Sequence, residues 1–212
     1  MYCASEEEPN PSTGTRNVTL SRRSRYASLE IDATFATTMV EKKMPKSEQT
    51  SWVFANVRGG ITRAISQLQK INSVETVTPV TGRFDLVIKL RTNEPHKAFS
   101  IVEKIRKVKG ITSTQTGISL QKISNKKKDE SEDPIAFALV KVKGAYKNVL
   151  QKIKTFPSFV EAHVIPGEFD VFAAFHGYSP EELLETSVEK LGSINGITAM
   201  ETLVAWTPTS PY

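Results

Sequence analysis

The chain has 212 residues, 39% of them hydrophobic and 24% charged, with a formal net charge of +5. That is globular material, enough for two domains of about 70 residues; no apolar run approaches the roughly 18 residues of a membrane-spanning helix, and the lone cysteine, Cys3, excludes a disulfide framework or a thiolate metal site. The opening Met1-Tyr2-Cys3, followed by Glu6-Glu7-Glu8, lacks the basic flank and apolar stretch of a secretory signal, so a cytoplasmic location is expected.

Residues 1–50 carry the poorest core signal. Leu20, Leu29, Ile31, Phe35, Met39 and Val40 are thinly spread among polar residues, too few to offset chain entropy, and a largely disordered tail is expected, with at most a short helix between Ser24 and Lys43. From Ser51 the pattern sharpens. Trp52 to Val57 predicts a strand; Gly59-Gly60 breaks it, and Ile61, Ala64, Ile65, Leu68 and Ile71 recur at helical spacing. Val74 to Thr81 reads as extended, Gly82 turns the chain, and Phe84, Leu86, Ile88 and Leu90 occupy alternate positions of a third strand. Pro95 suits a helix start; Ala98, Ile101, Val102, Ile105 and Val108 form its apolar stripe, Gly110 ends it, and Ile111 to Leu120 is extended again.

The same pattern then returns. Gly167-Glu168-Phe169-Asp170 repeats Gly82-Arg83-Phe84-Asp85 at an offset of 85 residues, and Trp52, Val57, Gly59 and Ile65 meet Phe137, Val142, Gly144 and Leu150 at that offset. Beyond Pro95 the second copy gains one residue, so that Gly110-Ile111-Thr112 meets Gly196-Ile197-Thr198. Between the copies, residues 122–134 read as a charged linker of no use to a core; a dozen extended residues span about 40 Å, enough for the copies to dock. The second copy predicts strands at 135–143, 159–165, 169–176 and 197–206, and helices at 145–156 and 180–194. A short Pro-containing tail, 207–212, follows.

The order β-α-β-β-α-β, occurring over 51–121 and 135–206, predicts an α+β fold: two tandem ferredoxin-like domains, each with two helices on one face of a four-stranded antiparallel sheet. The other face is bare. In the second copy Ala136, Ala138, Val140, Phe172, Ala174, Met200 and Val204 are assigned to it, too apolar to leave wet at about 25 cal/mol per Å². The copies are therefore expected to pack sheet to sheet as a pseudo-dimer.

With the hairpin Val80-Thr81-Gly82-Arg83-Phe84-Asp85-Leu86 and the later Gly110-Ile111-Thr112-Ser113-Thr114-Gln115-Thr116, this order resembles the effector-binding domain of the Lrp/AsnC family of amino-acid-responsive regulators. The resemblance covers about two thirds of the chain, twice over. It implies a non-enzymatic regulator that binds a small effector, such as an amino acid, with no cofactor, and that self-associates or joins Lrp/AsnC-type relatives. It also implies that Gly82, Arg83, Phe84, Asp85, Thr114 and Thr116, with Gly167, Glu168, Phe169, Asp170, Met200 and Thr202, line the ligand clefts. Because residues 1–50 lack three helical stripes with a turn between them, DNA would be reached only indirectly, and no membrane partner is expected. In the repeat Arg83 corresponds to Glu168, and Thr114 to Met200, so the two clefts should differ.

The hairpins admit two readings on chemistry alone. Backbone N–H groups at a Gly turn can receive a carboxylate while Asp85 or Asp170 binds an ammonium group; equally, Gly supplies positive φ, Asp bonds nearby backbone, and Phe84 and Phe169 anchor a core. No catalytic or metal-ligand pattern emerges. His96, His163 and His176 lack ligand spacing and read as surface or strand residues, and there is no phosphate loop or nucleophile elbow. Charge is unevenly shared: eleven basic residues against four acidic in 51–121, six against eight in 135–212. That asymmetry could steer a nucleic acid to the first copy, the alternative function, or let the halves attract each other. A third possibility is a structural subunit that co-assembles with DNA-binding relatives.

Overall fold

The computed structural model describes residues 48–125 and 136–208, apart from positions 178, 180, 181, 183 and 184. In the first copy β1 (Gln49–Val57) leads through Gly59-Gly60 into α1 (Ile61–Leu68), then β2 (Val74–Thr81), β3 (Leu86–Thr92), α2 (Pro95–Arg106) and β4 (Ile111–Ile118). After β5 (Gln121–Ser124), the second copy runs β6 (Ala136–Val142), α3 (Tyr146–Ile153), β7 (Phe159–Val164), β8 (Val171–Phe175), a π-helical run Glu185–Leu191, and β9 (Ile197–Ala205). The short helix expected between Ser24 and Lys43 lies outside the described residues, as do residues 126–134 of the 122–134 linker. Among the described residues no helix is long and apolar enough to cross a membrane.

Each copy has the expected antiparallel order, β4-β1-β3-β2 in the first and β9-β6-β8-β7 in the second. Three cores result. Val53, Ala55, Leu86, Ile88 and Leu90 pack beneath α1 and α2, and Ala136, Ala138, Val140, Val171, Ala173 and Phe175 beneath the helices of the second copy. The third core lies between the two sheets and draws on both copies: Trp52, Phe54, Phe84, Val87, Phe137, Leu139, Phe169, Phe172, Ala174 and Leu203.

Two seams close the sandwich at its edges. β2 pairs with β9 at Val80↔Ala205 and Thr81↔Val204, and β5 pairs with β7 from Gln121↔Val164 to Ser124↔Glu161. The seams are related by the repeat: the Trp206 N–H donates to Pro79 O at 3.1 Å, and its counterpart Leu120 N–H donates to Val164 O at 2.9 Å. A pseudo-twofold axis thus runs between the copies.

Five expectations need correction. The first strand begins at Gln49, inside the segment read as tail, and β5 takes up Lys122–Ser124, read as linker. The face assigned to β6 is inverted: Ala136, Ala138 and Val140 face the helices, as does Met200, while Phe137 and Leu139 meet the other sheet. In β9 the inward residue is Leu203, with Val204 half-buried. Phe84, read as one alternating set with Leu86, Ile88 and Leu90, lies in the turn and enters the inter-sheet core instead.

Within the described residues, the helix expected at 180–194 is the π-helical run. Pro95 and Pro180 are 85 apart, Gly110 and Gly196 are 86 apart, and the wider turn lies between, where it absorbs the extra residue. Leu191 is consequently as buried as its counterpart Ile105.

Candidate functional site

Both Gly hairpins sit at the pseudo-twofold axis. Gly82 adopts φ +127°, and a Cβ there would fall 2.8 Å from Leu203 Cδ2, so glycine is what lets the first hairpin close on β9 of the other copy. The residues that follow meet each other. Arg83 makes a two-pronged ion pair with Glu168, Nη2 to Oε2 at 3.0 Å and Nη1 to Oε1, and Glu201 Oε2 lies 3.9 Å from Nη1. The guanidinium rests over the rings of Phe84 and Phe169, at 5.3 and 5.9 Å. The hydrogen bond from Arg83 holds the Glu168 carboxyl below its ordinary value against the opposing effect of desolvation, with the Arg83 charge, Gln115 and Lys141 adding to it. Gln115 and Glu201 are themselves counterparts, on β4 and β9.

The two aspartates do different work. Asp85 Oδ2 accepts the Val57 N–H at 2.7 Å and Asp170 Oδ2 the Val142 N–H at 2.8 Å. In both copies this is where the ladder to β4 or β9 shifts register, freeing a backbone donor that the carboxylate then satisfies. Lys141 completes the second site, donating to Asp170 Oδ1 and to Gly167 O, both at 3.2 Å. Of the two chemical readings of these hairpins, the observed bonds are those of a backbone anchor.

The threonines point elsewhere. Thr114 and Thr116 flank Gln115 on β4 and lie on the helix side, where Arg106 Nε donates to Thr114 Oγ1 at 2.9 Å. There a cleft of about 290 Å³ opens between α2 and β4, lined by Ala98, Phe99, Val102, Glu103, Arg106, Thr116 and Ile118. Its floor is apolar, its rim carries the Arg106–Glu103 pair at 2.9 Å, and Phe99 stands 68% exposed at its edge. In the second copy the counterparts Gly192 and Met200 replace Arg106 and Thr114, so the cation is missing; Met200 packs into the core, and Thr202 pairs with Ala138 along the sheet. The twelve predicted positions therefore divide between the axis and the helix side. The sequence does not assign Gln115, Glu201 or the five α2 residues of the cleft to a site, and reads Ala98 and Val102 only as part of an apolar stripe; the i, i+3, i+4 spacing of Phe99, Val102, Glu103 and Arg106 is the available signal.

The described residues also hold a buried charge cluster. Glu161, 7% exposed, faces Lys89 at 3.3 Å, Lys122 at 2.7 Å and the His163 ring at 3.6 Å. His163, fully buried, shares a hydrogen bond of 2.8 Å with Ser119 Oγ and lies edge-on to Trp52. Burial would raise the Glu161 carboxyl, but His163, Lys122 and Lys89 outweigh it and hold it far below the ordinary 4.5. Burial depresses His163 below 6.5, with Glu161 opposing.

The model of the Lrp/AsnC ligand binding domain matches residues 53–129 and again 135–209. The chain belongs to that family. This Lrp/AsnC chain is similar over 74% of its length to the siroheme decarboxylase NirDL, of which it covers 71%, at 11% identity and a TM-score of 0.57, a likeness of fold. A feast or famine regulatory protein of M. tuberculosis, solved with L-methionine, is 18% identical over 40% of this chain and 56% of its own, at a TM-score of 0.33. Homocitrate synthase of Sulfurisphaera tokodaii is 34% identical over 62 residues, which span 29% of the Lrp/AsnC chain and only 14% of that enzyme.

Proposed function

We propose that this tandem Lrp/AsnC protein is a non-enzymatic regulatory module that binds one small zwitterionic effector, an amino acid or close analogue, in the α2–β4 cleft of its first copy. The observation that carries this reading is the cleft itself, where an apolar floor is rimmed by a cation, Arg106, an acid, Glu103, and the hydroxyl of Thr116. A carboxylate exchanged onto the guanidinium, an ammonium onto Glu103 and a side chain over Val102 and Ile118 would use all three features. Thr114, already hydrogen-bonded to Arg106, presets the guanidinium. Effector binding then changes the outer face of the first copy, and the signal passes through self-association or a partner protein that contacts DNA.

A thermal-shift panel of amino acids and related metabolites tests the reading. At least one should raise the unfolding midpoint, and Arg106→Ala should abolish that rise while leaving the ligand-free midpoint within about a degree, since Arg106 is exposed and its surface pairs are worth little. No response across the panel would remove the effector-binding reading; a response untouched by Arg106→Ala would move the site elsewhere.

A further inference from the structure

We infer that the seam between the copies is coded by charge, so that a first-copy sheet accepts a second-copy sheet and rejects one of its own kind. On a twofold axis each position meets its counterpart, and in this chain the counterparts at the axis carry opposite charge. Arg83 meets Glu168. Two first copies paired through the same surface would set arginine against arginine above a pair of phenylalanines; two second copies would set glutamate against glutamate, with Glu201 beside them.

A second, independent contact lies off the axis. Lys89 of β3 reaches Glu161 of β7 across the inter-sheet layer at 3.3 Å. The counterpart of Lys89 is Ala174 and that of Glu161 is Thr76, so the pair is made at one end of the sandwich and its equivalent end is neutral. A second-copy pair would bury Glu161 against alanine with no cation from the facing sheet. A first-copy pair would offer Lys89 only threonine from the facing sheet, leaving it Glu75 of its own copy at 3.5 Å. The ring contacts follow the same asymmetry: Trp52 lies 4.4 Å from Phe172, whereas their counterparts are Phe137 and Val87.

The partner that fits the first-copy seam is therefore a sheet with an acid directly after the hairpin glycine and a second acid in the strand before that hairpin. This chain supplies that partner itself. A sheet with a cation directly after its hairpin glycine is rejected by the first half, and one with an acid there by the second.

Charge reversal in the full chain at low ionic strength tests the code, with neutral substitutions as the reference. Arg83→Glu should melt below Arg83→Gln, and Glu168→Arg below Glu168→Gln, because only the reversals create like-charge pairs. The double reversal should melt above both single reversals, and amide exchange at Thr81 and Trp206, in the adjoining seam, should slow with it. Raising salt should shrink these differences. Reversals no worse than the neutral changes, or a double reversal at or below the weaker single one, would overturn the inference.

Discussion

Replacing Phe172 with alanine is expected to lower the unfolding free energy by about 4 kcal/mol, as large-to-small changes of fully buried aromatics do. Phe172 has no exposed area, and its ring lies 4.4 Å from Trp52, 5.4 Å from Phe54 and 5.4 Å from Phe137. Two of those three rings belong to the other copy. The cavity would therefore open between the sheets, where closing it would require the whole first-copy sheet to approach. Chemical denaturation with a two-state fit checks the value. A loss below about 1 kcal/mol would mean that the inter-sheet layer is not a close-packed core.

Glu161→Ala is expected to cost about 3 kcal/mol, the scale of breaking a buried ion pair from one side. The change strands Lys89, whose side chain is only 14% exposed and lies 5.5 Å from the Trp52 ring, with Glu75 as its remaining acid at 3.5 Å. The same cluster sets a pH dependence. Both His163 and Glu161 titrate below their ordinary values in the folded protein, so each contributes stability that is complete above its unfolded value and is lost as pH falls. Stability should decline as pH drops below about 6.5, when the unfolded histidine takes up its proton, and more steeply below 4.5, when the unfolded carboxyl does. In Glu161→Gln the lower limb should flatten. Unfolding midpoints between about pH 3 and pH 8 read both limbs, and a midpoint that rises on acidification would contradict the assignment.

The repeat made most of the fold legible. Strands with one wet face and helices with one apolar stripe leave a period in the sequence, and Gly82, Gly110, Gly167 and Gly196 punctuate it at turns of positive φ. What stayed hidden had no local period. β6 is apolar on both faces, so Ala136, Ala138 and Val140 could not be told from Phe137 and Leu139 by alternation, and the wrong set was turned toward the other copy. β5 is short and polar and exists because β7 offers it an edge, a tertiary cause that Lys122 and Ser124 do not announce.

The arrangement of the candidate site was not legible in the sequence. Thr114, Gln115 and Thr116 are adjacent in sequence, yet strand alternation sends Gln115 toward the axis and the threonines toward α2. The family resemblance places the threonines with the hairpin, whereas in the fold it is the glutamine that stands beside Glu168. The Lys89–Glu161 pair joins residues on different copies, so only the folded chain brings them together. By contrast the opposition of Arg83 and Glu168 was visible as soon as the repeat was aligned, and a twofold axis turns that alignment into a contact.

Native-state hydrogen exchange is the most direct test that the two copies form one cooperative body through their sheets. Amides of Val87 to Lys89 in β3 and of Phe172 to Ala174 in β8 should open with the same free energy, and Phe172→Ala should lower both by the same amount. If the β3 amides keep their protection while those of β8 lose it, the copies are separate folding units and the shared core does not hold them together.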